Sequence, residues 1–313
     1  ITDGDSNVAV GTASGDAIDT GYANTLMGRY AGSAITGGAN NTCIGYAAGD
    51  SMTDNTNNVA IGSNALGVLE SGGLNNVAVG VSAGAGLTTG DLNVAVGKSA
   101  LANEDTGGNT TAIGASACGS QNGDGGNTAV GNDALYYNQG GKYNVFMGLQ
   151  AGYGASGQNH SYNTGIGYAC MDSVTTGANN VAMGYKAGDA LTSGGSNVLI
   201  GSLAGDGFDS ETGNTVIGAG AFSGAGAASY VTAIGYNAIN AGVTTSDANN
   251  TVAIGNSALE ALTSGIGNIA IGWHALNVED DGDYSTAIGY DSLGYQTGVS
   301  GETSNTALGY YAG

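Results

Sequence analysis

A short pattern of apolar and polar positions recurs along the whole chain: asparagine, a β-branched residue, alanine, a large aliphatic residue and glycine, as in Asn93-Val94-Ala95-Val96-Gly97. The glycine of this motif appears eighteen times, from Gly11, Gly28 and Gly45 through to Gly309, 17 residues apart except where the spacing lengthens before Gly80, Gly167, Gly255 and Gly309. Counting from that glycine, position −1 is always a large aliphatic residue or methionine and position −3 is always Val, Ile or Thr. Alanine dominates −2 and +3, and +4 is glycine or a large apolar residue. Polar turn residues such as Leu87-Thr88-Thr89-Gly90-Asp91 fill the rest, and the length changes fall among them.

This pattern predicts a short strand ending in a bend. Seventeen residues are too few for two helices and their connections, and glycine at this density would cost a helix about 1 kcal/mol per site. The expected fold is all-β: a parallel β-solenoid, or β-roll, of about eighteen 17-residue coils, forming one continuous repeat domain over residues 1–313. The chain starts and stops in mid-pattern without capping coils, as expected of a fragment of a longer fibre. Asparagine at −4 (Asn7, Asn58, Asn93, Asn127, Asn197, Asn268) is expected to form a ladder of side-chain amides between coils.

The strand is apolar on both faces, which marks strands covered on both sides. One face fills the coil and the other is expected to meet another subunit, in a side-by-side or intertwined homotrimer. Parity alone leaves open which face is which; the preferred assignment puts the large residues inside and the alanines (Ala60, Ala78, Ala95, Ala112, Ala129, Ala270) at the subunit interface.

Composition narrows the function. The chain has 61 glycines, no proline and 9% charged residues, unlike collagen, which needs abundant proline, and unlike an ordinary globular enzyme. Four basic residues (Arg29, Lys98, Lys142, Lys186) face 25 acidic ones for a net charge of −21, which argues against binding nucleic acid or an anionic membrane. No apolar run is long enough for membrane insertion.

Units such as Asn93 to Asn109 and Asn268 to Leu276 resemble the 17-residue N-T-A-[IV]-G-x-x-A-L repeats of phage tail-fibre-like and bacterial surface adhesin proteins, and the N-S-V-A-I-G repeats in the β-roll heads of trimeric autotransporter adhesins. The resemblance implies an extracellular structural or adhesive fibre segment, on a virion or a cell surface, that presents or forms a host attachment surface. The alternatives are a structural filament or appendage subunit joining end to end and, less favoured, an ice-binding solenoid.

Candidate chemistry is sparse, and the chain is read as non-enzymatic, without cofactor or metal. Gly80-Val81-Ser82-Ala83-Gly84 matches the G-x-S-x-G elbow of hydrolases but is also a stretch of the repeat. The two histidines, His160 and His274, lie too many coils apart to cooperate. Cys43, Cys118 and Cys170 occupy small or apolar positions and read as buried hydrophobes. The turn Glu279-Asp280-Asp281-Gly282-Asp283 reads as a solvated acidic turn, with calcium as the alternative. Aromatics gather at +1: Tyr168, Tyr185, Tyr236, Trp273, Tyr290 and Tyr310. They are candidate receptor or glycan contacts, weighed against a structural ladder.

Overall fold

The structure, a computed structural model, describes residues 5–70, 72–123, 125–240, 243–245, 248–297 and 301–313. The described residues form a parallel β-solenoid with no α-helix. The chain divides into two compact units, Ile1–His160 and Ser161–Gly313. In the first, nine three-residue strands run from Val8–Val10 to Val145–Met147, and in the second nine run from Thr164–Ile166 to Thr306–Leu308. Within each unit every strand pairs in parallel with its copy in the next coil, position on position: Val94 with Thr111 and Ala95 with Ala112, for example. Two-residue strands add short ladders in the second unit, Ala225–Gly226 with Val243–Thr244 and Gly282–Asp283 with Gly301–Glu302.

The strand glycine makes the coils stackable. At Gly97, φ is +137° and a Cβ would lie 2.4 Å from the carbonyl oxygen of Gly114, so only hydrogen fits between coils. The backbone also turns through the left-handed region at −5, +2 and +4, as at Asn109 (φ 60°), Ser116 (φ 55°) and Cys118 (φ 50°). A non-glycine residue there costs about 1–2 kcal/mol. At +4 that cost is offset by burial, since Leu66, Leu101, Leu135, Leu259 and Leu276 are fully enclosed and such a side chain gains about 1.5–3 kcal/mol on leaving water.

Where +4 is glycine, a larger neighbour fills the space. A Cβ at Gly32 would lie 2.7 Å from Leu26 Cδ2, and one at Gly152 2.6 Å from the Phe146 ring. Leu26, Phe146 and Leu199 are large residues at −2, and each shares its coil with a +4 glycine.

Positions −2, +3, +4 and +7 thus point inward, with Ile35, Leu87, Leu191 and Phe208 at +7 completing the core. This reverses the expected assignment of faces. Ala60, Ala78, Ala95, Ala112, Ala129 and Ala270 are 0–1% exposed within their own chain and cannot form a subunit interface. The physical reason is volume: leucines and other large residues at +4 and +7 already fill the narrow coil, leaving room for only a methyl group opposite them. The large β-branched and aliphatic residues at −3 and −1 face outward.

Candidate interaction surface

The outward face of the strands is an uncharged strip, aliphatic or methionine at −1 and valine, isoleucine or threonine at −3. Val10 is 55% exposed, Met27 and Met147 42% and Ile113 40%, and the rows at −3 and −1 are only partly covered along both units. Nine strands spaced by about 4.8 Å, each three residues long at about 3.3 Å, give each unit a strip of about 400 Å². Charge is arranged around it: none of the 25 acidic residues lies between −5 and +1 in any coil, and all fall on the bends and turns beyond.

The asparagines at −4 flank the strip and stitch coil to coil. Asn7 Oδ1 accepts from Asn24 N (2.9 Å) and its Nδ2 donates to the Gly21 carbonyl (2.7 Å). The same pair of bonds is made by Asn58 (Asn76 N 2.9 Å, Gly73 O 3.1 Å), Asn93 (Thr110 N 3.0 Å, Gly107 O 2.9 Å) and Asn127 (Asn144 N 2.9 Å, Gly141 O 2.8 Å). In the second unit Asn197 bonds Asn214 N (3.0 Å) and Glu211 O (2.7 Å), and Asn268 bonds Ser285 N (2.8 Å) and Gly282 O (2.6 Å). Each amide therefore satisfies a backbone donor at the strand entrance and a carbonyl of the returning turn, both otherwise hidden from water.

Aromatic residues at +1 border the strip on its other side, mainly in the second unit. Tyr168 and Tyr185 stack with centroids 5.5 Å apart and planes 12° from parallel. Trp273 stacks on Tyr290 (4.5 Å, 18°) and Tyr290 on Tyr310 (5.3 Å, 25°), while His274 lies against Trp273. The spacing follows the coil rise, so the rings cover one another's faces and turn their edges to solvent. Tyr236 differs: Ala219 and Asn256 hold its position in the adjoining coils, no ring of this column covers it, and it is 57% exposed.

Comparison with protein-family models and with curated proteins finds no match to this chain.

No catalytic constellation forms around the remaining candidates. Ser82 sits on a left-handed turn (φ 56°) rather than a strand-to-helix elbow. Burial pushes the His160 imidazole down to about 3, which keeps it neutral. The three cysteines are buried and unbridged, and burial pushes the Cys43 and Cys170 thiols up to about 12 and the Cys118 thiol up as well, which makes them inert. In the acidic turn, the carboxylates of Glu279, Asp280 and Asp281 lie within 4.8 Å of one another. Glu279 already accepts from Gly282 N and Gln296 Nε2, and Asp283 accepts from Ile266 N; two of the four carboxylates therefore tie the turn to itself and to the adjoining coils.

Two patterns escaped the sequence reading. Each glycine at −5 is followed by tyrosine at −5 in the next coil, Gly126/Tyr143, Gly213/Tyr230 and Gly267/Tyr284, because the ring lies over the bare glycine. A Cβ on Gly213 would fall 2.8 Å from Tyr230 Cδ1. The other is a column of aspartates at +5, Asp172, Asp189 and Asp206, with Lys186 Nζ 2.8 Å from Asp189 Oδ2. Burial, a hydrogen bond to Asp189 and repulsion from it push the Asp172 carboxyl up to about 6. Both patterns are pair rules between coils, visible only once coils are aligned in register.

Proposed function

We propose that this chain is a non-catalytic, self-associating fibre segment that works outside the cell, on a virion fibre or a cell surface, and forms or carries an attachment surface. The observation that carries this reading is the outward strip of aliphatic and threonine side chains, free of acidic residues, in a chain of net charge −21. Such segregation lets like-charged copies approach along one face with their carboxylates held away. Each unit offers a strip of about 400 Å², the size of exposed patch that marks an interaction surface. A strip three residues wide leaves its margins wet under a single flat partner, whereas three copies about one axis cover each other's margins, so the assembly is a homotrimer.

Attachment falls to the flank. Tyr236, with its ring faces uncovered by the column, is the member best suited to stack on a sugar, while Tyr168, Tyr185, Trp273, Tyr290 and Tyr310 brace the solenoid. Among the described residues no helix is long and apolar enough to cross a membrane.

Light scattering coupled to size exclusion tests the reading. The unmodified chain is expected near three times its 30.2 kDa mass. Val94→Asp with Val96→Asp should give a monomer whose β-sheet circular dichroism is retained. A stable monomer of the unmodified chain would overturn the proposal.

A further inference from the structure

The coils are close to interchangeable, which raises the question of what fixes each coil on its proper neighbour. The asparagine ladder does not, because any asparagine coil satisfies any other. Aliphatic +7 residues such as Leu87 and Val174 are equally indifferent to which coil lies above.

Two places break this uniformity in the same way. At +7 in the first unit stand Glu104 and, one coil later, Gln121, both fully buried. Gln121 Nε2 donates to Glu104 Oε2 (2.7 Å) and to Thr110 Oγ1 (3.2 Å), and Asn127 Nδ2 donates to Gln121 Oε1 (3.0 Å). Glu104 Oε1 also accepts from Gly107 N (2.7 Å) and Gly123 N (2.8 Å). In the second unit Gln296 Nε2 donates to Glu279 Oε2 and to Ser285 Oγ (3.1 Å), and Asn305 Nδ2 donates to Gln296 Oε1 (2.9 Å). In both places the −4 asparagine is replaced by a hydroxyl residue, Thr110 or Ser285, and the glutamine of that coil supplies the amide that continues the ladder. Three positions depart from the repeat together, twice, and the ordinary −4 asparagine of the next coil, Asn127 or Asn305, completes each network.

We infer that these Glu–Gln pairs are register keys, one in each unit, that specify which coil stacks on which. A slip that loops out the Glu104 coil would set Gln121 against Leu87, leaving a buried amide without its partner, and one that loops out the Gln121 coil would set Glu104 against Asn138, whose amide already bonds Gly141 O and His160 N. The aliphatic +7 contacts survive such a slip. The keys act within a chain and do not depend on the proposed trimer.

The test removes a key while restoring the ordinary repeat, with the triple variant Glu104→Leu, Thr110→Asn, Gln121→Leu. Spin labels on Thr36→Cys and Gln139→Cys, at the same position of coils six steps apart, report about 29 Å in register. The native thiols are buried and do not compete for label. Labelled chains are unfolded in guanidinium and refolded with excess unlabelled chain, and label distances are measured by pulsed electron resonance. The parent sequence should return one distance. The triple variant should add a second population shorter by about 4.8 Å, one coil step. A single parental distance in the triple variant overturns the inference. Failure of the variant to regain β-sheet circular dichroism also overturns it, since the pair would then be a source of stability rather than of register. The corresponding variant Glu279→Leu, Ser285→Asn, Gln296→Leu, with labels in the second unit, should behave alike.

Discussion

In the first unit, position +1 carries Thr12, Arg29, Tyr46, Ser63, Val81, Lys98, Ala115, Asn132 and Leu149; in the second it carries Tyr168, Tyr185, Tyr236, Trp273, Tyr290 and Tyr310 among smaller residues. The +5 column differs too. Tyr136 and Tyr153 stack there in the first unit (5.6 Å, 15°), whereas Asp172, Asp189 and Asp206 occupy it in the second, with Lys186 at +2 paired to Asp189. Inside the coil the units agree: alanine at −2, the −4 asparagines and the same four-residue polar network recur in both. The interior is set by stacking, which tolerates little, while the flank, whose rings pack only on one another, is free to differ. The sequence differences between the units therefore reside on the flank.

Perturbing the shared interior should hurt both units equally and severely. Ala95→Asp in the first unit and Ala270→Asp in the second bury an unpaired charge, and each should cost more than about 4 kcal/mol by thermal or chemical melting. A mild effect in one unit alone would break the equivalence. Asn93→Ala and Asn197→Ala should follow at about 2–3 kcal/mol each, since two buried backbone groups lose their partners.

The flank should be unequal. Trp273→Ala is expected to lower stability by about 1 kcal/mol through lost stacking, while Arg29→Ala, on the first unit's flank, changes it by less than about 0.5 kcal/mol. Tyr236→Ala should leave the melt unchanged and abolish glycan binding on an array; retained binding would move the attachment surface elsewhere.

The aspartate column gives an effect confined to the second unit and to one range of pH. Asp172 has a folded carboxyl raised from its ordinary 3.8 to about 6, so the folded state holds the proton more tightly. Its stabilising contribution is full below about pH 4 and disappears as pH rises through about 6. Discounted for partial exposure, Asp172→Asn should gain about 1 kcal/mol at pH 7 over the parent and flatten the decline between pH 4 and 6.

The sequence made the period, the strand and its glycine bend legible, because each is a strict one-position rule. It left the two faces ambiguous, since Val94 and Ala95 are both apolar and alternate. The deciding signals lay at a distance: the large residues at +4 and +7 that fill the coil, the pairing of Leu26 with Gly32 and of Phe146 with Gly152, and the exclusion of carboxylates from −5 to +1. The ring stacks were hidden for a related reason. Their consequence for Trp273 and Tyr290 depends on the rise between coils, which no single repeat reveals.

Because the strands lie across the stacking direction, each ladder between neighbouring coils carries load in series with the rest. A unit stretched along that direction would yield one coil at a time, releasing about 60 Å of chain at each step. Its resistance would resemble that of a zipper opened from one end, spreading a sudden tug over many small ruptures.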